Sequence, residues 1–210
     1  MAIITKIEVQ KRNKERVNLF LDGEYALAIS AELVYKEHLK VKDNIDYNKL
    51  KLLAEKEGFA KCKESALRIV GRNYKTEKQV REKLKLKGYE ENAIDYSVEF
   101  LKEYNFINDN YYANAFMNDK SNSMGSQKIK YNLIQKGVSK EIIEEALANV
   151  NKENERDIAL EIAKKKLVVI KKKENDKYKI SGKLYRYLIS KGYEMDIVSD
   201  VVKEVIRLEE

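Results

Sequence analysis

Lysine, arginine and tyrosine are the residues in this chain whose spacing could do chemistry, and that chemistry is binding. The cations fall in three stretches: Lys78, Arg81, Lys83, Lys85 and Lys87; then Lys128, Lys130 and Lys136; then Lys183, Arg186 and Lys191. Arg72 and Lys75 lie just before the first stretch and Lys120 just before the second, while Tyr74, Tyr131, Tyr185 and Tyr187 interleave. Corresponding positions on stacked repeats would make a continuous basic stripe with aromatic rings, suited to a polyphosphate backbone or an acidic filament. The same residues also fit solvated helix faces with tyrosines at the edge of a core. Both readings stand at this point. The runs Lys164–Lys166 and Lys171–Lys173 read as a solvated helix end.

Catalysis finds no footing. His38 is the single histidine, and Cys62, the single cysteine, has no partner in metal-ligand spacing. No phosphate-binding glycine loop, nucleophile elbow or zinc-protease helix occurs. Carboxylates are plentiful but interleave with lysines at helical spacing, as on solvated faces. We expect no enzyme, no metal and no cofactor.

The composition narrows the class further. Of 210 residues, 37% are charged and 43% apolar, and the absence of proline suits long unbroken helices. Net charge is +7, and nearly all of it lies beyond residue 58. That excess permits contact with nucleic acid or an acidic protein. AT-rich coding alone could also produce it. One cysteine excludes an intrachain disulfide and points to a reducing compartment. The N-terminus lacks a signal-peptide pattern, and the longest aliphatic run, Leu167–Ile170, is too short to cross a bilayer. A cytoplasmic protein with no membrane contact is expected.

The elements that must position the cations repeat. Leu84–Ile94 reads LKLKGYEENAI, Leu133–Ile143 reads LIQKGVSKEII and Leu188–Val198 reads LISKGYEMDIV. Their glycines, Gly88, Gly137 and Gly192, are 49 and then 55 residues apart, which marks an internal repeat. Thr76, Ser126 and Ser181 lie 12, 11 and 11 residues before these glycines and are placed to cap a helix. Thr76 with Gln79 fits a capping box. Val80, Ile129 and Leu184 lie eight residues before the glycines, and Leu84, Leu133 and Leu188 four before, so each pair shares one helix face. Beyond the glycines the apolar positions align again, ending at Leu101, Val150 and Val205. Each unit is a stripe helix, a capped helix ending at Lys-Gly, and a third amphipathic helix. The glycine allows the left-handed turn that stops the second helix.

The first 58 residues differ. Ile4–Val9 alternates as a half-buried strand does, and Asp22-Gly23 between Val17–Leu21 and Tyr25–Ile29 signals a tight hairpin. Ser30 can cap a short helix, Leu39–Ile45 reads as a further strand, and Asp46 can cap a helix over roughly 48–57. The fold expected is mainly α: a β-rich module (1–58) followed by three-helix repeats at 59–107, 108–154 and 155–210, stacked as an elongated, curved array.

These phrases resemble those of the RecX regulatory proteins of bacteria. The middle unit carries the likeness in IND at Ile107–Asp109, YYANAF at Tyr111–Phe116, Gly125, and IKYNLIQKGV at Ile129–Val138. The first unit adds Ala66–Leu84, where Thr76 replaces the family's usual Ser and Gln79-Val80 its Glu-Leu. Lys120 stands where many members have Arg. The LDGEYAL segment (Leu21–Leu27) looks like the N-terminal extension of longer members. The resemblance implies a protein that binds the RecA recombinase filament on single-stranded DNA and generally inhibits its ATPase and strand exchange; we expect a monomer that touches the DNA weakly or through RecA. This would place it in homologous recombination, DNA repair and the SOS response. The expected contacts are Arg72, Arg81, Lys85, Lys87, Lys120, Lys128, Lys130, Lys136, Lys183 and Arg186. Two alternatives are a helix-turn-helix DNA-binding regulator acting without RecA, and a helical-repeat scaffold for another protein.

Overall fold

A computed structural model describes residues 1–11, 14–148 and 151–207. The chain divides into two compact units, residues 1–72 with 81–106, and residues 73–80 with 107–210.

In the first unit, β1 (Ala2–Val9), β2 (Arg16–Leu21), β3 (Glu24–Ser30) and β4 (Asn44–Ile45) form an antiparallel sheet in the order β3-β2-β1-β4. Asp22 and Gly23 both have positive φ, +50° and +93°, as a type I′ turn requires. Asp22 also accepts a 2.9 Å hydrogen bond from the Ile3 N–H. Ser30 caps α1 (Ala31–Lys36) by accepting from the Leu33 N–H. The strand expected over 39–45 shrinks to Asn44–Ile45. His38 (φ +53°) and Lys42 (φ +80°) bend the backbone, and the Asp43 carboxylate holds the Lys40 N–H at 2.7 Å.

Asp46 caps α2 (Tyr47–Val70), accepting from the Asn48 and Lys49 N–H groups. This helix was expected to stop near Glu57 and to be separate from the stripe helix of the first repeat. Instead it is continuous for 24 residues. Leu50, Ala54, Gly58, Cys62 and Ala66 follow one another at intervals of four, so Gly58 keeps the stripe in register. Leu50 is buried in the sheet's core, while Cys62 and Ala66 are fully buried where α2 packs on α4 (Glu91–Glu103). Ala93, Ile94, Val98 and Leu101 of α4 complete that layer, with Leu84 from α3 (Glu77–Leu86) also buried.

The second unit holds two three-helix repeats, each with its own core. In one, α5 (Asp109–Lys120), α6 (Ser126–Gln135) and α7 (Lys140–Ala148) bury Ala113, Met117, Ile129, Leu133, Val138, Ile143 and Ala146. In the other, α8 (Lys152–Lys171), α9 (Lys177–Lys191) and α10 (Met195–Arg207) bury a larger set around Leu184, Leu188, Val198 and Val201. Val150, aligned above with Leu101 and Val205, lies outside the described residues.

Two of the three expected caps move. Thr76 does form a capping box with Gln79, with 3.3 Å hydrogen bonds in both directions. Ser126 is instead the first residue of α6, behind the N-cap Gly125. Ser181 lies inside α9, which Asp176 caps by accepting from the Tyr178 and Lys179 N–H groups. Nothing between Asp176 and Ser181 breaks a helix, so the earlier carboxylate wins.

Candidate functional site

Each Lys-Gly phrase ends its helix in the same way. The glycines have φ of +81°, +84° and +88°, and their N–H groups donate to the carbonyls three residues back (Lys85, Ile134, Ile189). The next N–H reaches five back, to Leu84, Leu133 and Leu188. This is the paired-bond C-cap that a left-handed glycine makes.

Within the second unit these turns do more than stop a helix. The Thr76 hydroxyl donates to the Lys136 carbonyl at 2.6 Å, the Lys78 ammonium to the Gln135 carbonyl at 3.3 Å, and the Glu77 N–H to the Asp109 carboxylate at 3.0 Å. The start of α3 is thereby fastened to the Gly137 turn. The pattern recurs one repeat later. The Gly125 N–H donates to the Lys191 carbonyl at 3.0 Å, the Gln127 N–H to the Gly192 carbonyl at 3.1 Å and the Lys128 ammonium to the Ser190 carbonyl at 2.9 Å. The Ser126 N–H donates to the buried Glu155 carboxylate at 2.7 Å. Each joint therefore pairs the positive end of one helix with the negative end of the next, and a carboxylate holds an amide at the helix start. Gly125 is needed for close approach, because a Cβ there would collide with the Gly192 carbonyl.

The fate of the cations follows. Lys128 is a joint residue. Lys136 holds its ammonium 5.5 Å from the Phe116 ring centre while its carbonyl receives Thr76. Arg81 is 2.5 Å from the Asp95 carboxylate and 3.8 Å from that of Glu91. Lys85 pairs with Glu91 at 3.0 Å, Lys120 with Asp119 at 2.7 Å and Lys183 with Glu174 at 2.9 Å. The Lys87 ammonium donates to the Ser65 hydroxyl at 2.9 Å. Arg72 and Arg186 are exposed and Lys130 half-buried, and none of the three has an ion pair or hydrogen bond to a described residue. Exposed pairs are weak, so Lys85 and Lys120 stay available to a partner, whereas Lys128 is held by its joint.

Of the interleaved tyrosines, Tyr74 packs on Tyr111 with ring centres 5.1 Å apart, both exposed. Tyr187 is half-buried beneath the Lys166 and Lys191 ammonium groups. Tyr193 is buried, and its hydroxyl has no hydrogen-bond partner among the described residues. Burial pushes that phenol up to about 12, and the neighbouring Glu155 and Tyr187 add to the effect. Burial likewise raises the Cys62 thiol, and the neighbouring Ser97 hydroxyl opposes that shift. Among the described residues no group of three or more His, Cys, Asp or Glu side chains could hold a metal ion, and no helix is long and apolar enough to cross a membrane.

Sequence reasoning missed Asp109 and Glu155, the carboxylates at the joints. Their signal was an acid in the first turn of a stripe helix, which also fits ordinary dipole complementation.

Four family models match in order: the RecX N-terminal domain at residues 2–46, then the first, second and third RecX three-helix domains at 62–101, 108–147 and 153–202. The chain belongs to the RecX family. It is 65% identical over 209 residues to the regulatory protein RecX of Clostridium beijerinckii, covering 100% of this chain and 98% of that one. With the RecX of Clostridium perfringens strain 13 it shares 48% over 205 residues, covering 98% and 97%. A crystal structure of a regulatory protein RecX superposes with a TM-score of 0.68 at 25% identity, covering 97% of this chain and 100% of that one. The crystal structure of RecX from Lactobacillus salivarius gives 0.63, also at 25% identity, over 71% and 97%.

Proposed function

We propose that this RecX-family chain binds the RecA recombinase filament on single-stranded DNA and restrains its ATP hydrolysis and strand exchange. It acts by contact alone, as a cytoplasmic monomer without a cofactor. The observation that carries the reading is the full-length match to curated proteins named regulatory protein RecX. Three tandem repeats support it physically, because several weak contacts along a periodic partner add by effective concentration.

The basic contacts are assigned first to Arg72, Lys130 and Arg186, which have no ion pair with a carboxylate among the described residues. Lys85, Lys120 and Lys183 come next, since their carboxylate partners compete weakly in water. Arg81, Lys87, Lys128 and Lys136 remain in the contact set with less charge to offer.

The test is RecA-dependent ATP hydrolysis on single-stranded DNA, titrated with this chain. Loss of turnover well below one chain per recombinase supports blocked filament growth. Unchanged turnover up to equimolar chain, with no filament binding, rejects the reading.

A further inference from the structure

Two of the three Lys-Gly turn glycines are occupied seats. A Cβ at Gly137 would collide with the Cβ of Lys78, and one at Gly192 with the Cβ of Lys128. In both joints a lysine in the first turn of the preceding repeat's second helix lays its stem over the glycine. Its ammonium then reaches the carbonyl two residues before that glycine, Gln135 or Ser190.

Gly88 makes the same turn, with the same φ and the same pair of backbone hydrogen bonds. It belongs to the first repeat, which follows the β module and not another three-helix repeat. Among the described residues nothing lies within 4 Å of where its Cβ would be. The residue two before it is Leu86, 88% exposed. The turn is braced from behind, because Lys87 donates to Ser65 and the Tyr89 hydroxyl to the Lys61 carbonyl, both on α2.

We propose that the Gly88 turn is an open, preformed seat for the first turn of a helix in a partner protein. That helix carries a lysine at its second or third position and an apolar side chain to cover Leu86. The occupant's chemistry is read from the two filled seats, where Lys78 is the second residue of α3 and Lys128 the third of α6.

A second copy of this chain fits the seat poorly, although Lys179 is the third residue of its α9. The helix that would supply it, α9, starts 15 residues before its glycine, against 11 for α3 and α6. Its first amide groups are taken by Asp176, and Lys183, at the place of Lys128, lies inside the helix paired with Glu174. The last repeat is thus closed to stacking while the first is open, as terminal repeats of such arrays differ from internal ones.

The inference goes beyond the recombinase reading and does not depend on it. The test is an NMR titration of the labelled full chain with a side-chain-locked helical peptide of residues 125–135, the natural occupant of the Gly192 seat. Shifts at the amides of residues 86–89, with a Kd of about 1 mM, are expected. A peptide lacking the lysine should bind about tenfold more weakly, the scale of one charge-assisted hydrogen bond. Gly88→Asn keeps the left-handed turn but fills the seat, so it should abolish the shifts while melting within a few degrees of the parent. No shifts, equal shifts in Gly88→Asn, or shifts at residues 190–193 in place of 86–89 would overturn the proposal. Self-association that Gly88→Asn removes would also overturn it, by making the occupant a second copy.

Discussion

The Lys128 ammonium lies 2.9 Å from the Ser190 carbonyl oxygen, at the end of the next repeat's second helix. A cation expected to face a partner is thus part of the protein's own joint. Lys128→Glu should lower stability by about 2 kcal/mol, through loss of a charged hydrogen bond and repulsion from the helix's negative end. Lys130→Glu, two residues on, should change stability by less than about 0.5 kcal/mol yet weaken filament binding. Denaturant melts of the two single variants, beside filament pull-down, separate the effects. Equal loss of stability in both would reject the distinction.

The three turn glycines should respond unequally to alanine. Gly88→Ala meets only the left-handed backbone penalty, about 1 kcal/mol. Gly137→Ala and Gly192→Ala add a collision with a lysine stem and should cost about 2–4 kcal/mol. Gly125→Ala has an ordinary φ of −76° but drives a methyl into the Gly192 carbonyl, so it belongs with the costly pair. Chemical denaturation of the four variants checks the order.

Alkaline pH should find Tyr193. Its phenol stays protonated in the fold to about pH 12, while an unfolded tyrosine loses its proton near 10. Between those values the folded state holds more protons than the unfolded state. Stability therefore falls as pH rises, by about 1.4 kcal/mol per unit. Tyr193→Phe should flatten that slope and, since it removes a buried hydroxyl with no hydrogen-bond partner among the described residues, cost little or nothing at pH 7. Melts of both proteins from pH 7 to 11 measure it; parallel curves would remove the assignment.

Cys62 is fully buried, with its thiol raised by that burial. It should resist iodoacetamide at neutral pH and react only when the α2–α4 layer opens. Its labelling rate then reports opening of the first repeat. Fast labelling of the native protein contradicts this.

What was legible in the sequence was local. Asp22-Gly23 announces its turn because two adjacent residues must take positive φ. The C-cap glycines and the apolar steps of four before them name their helices for the same reason, as the burial of Leu84, Leu133 and Leu188 shows. The joints were not legible. Thr76 and Lys136 are 60 residues apart, Lys128 and Ser190 62, and no periodicity carries a contact over that distance. Lys128 and Lys130 look alike in a list of cations, and only the packed neighbour separates them. The cap of α9 was missed because Asp176 and Ser181 both suit the role, and the choice depends on how much of the segment can coil.

The unbroken α2 has a mechanical meaning. Its 24 residues span about 36 Å, with Leu50 set in the sheet and Cys62 and Ala66 clamped against α4. It is a strut without a hinge. A pull on the N-terminal strands is carried along it into the core of the first repeat before any slack is taken up. The weakest link along that path is Gly58, where helix is held with the least intrinsic preference.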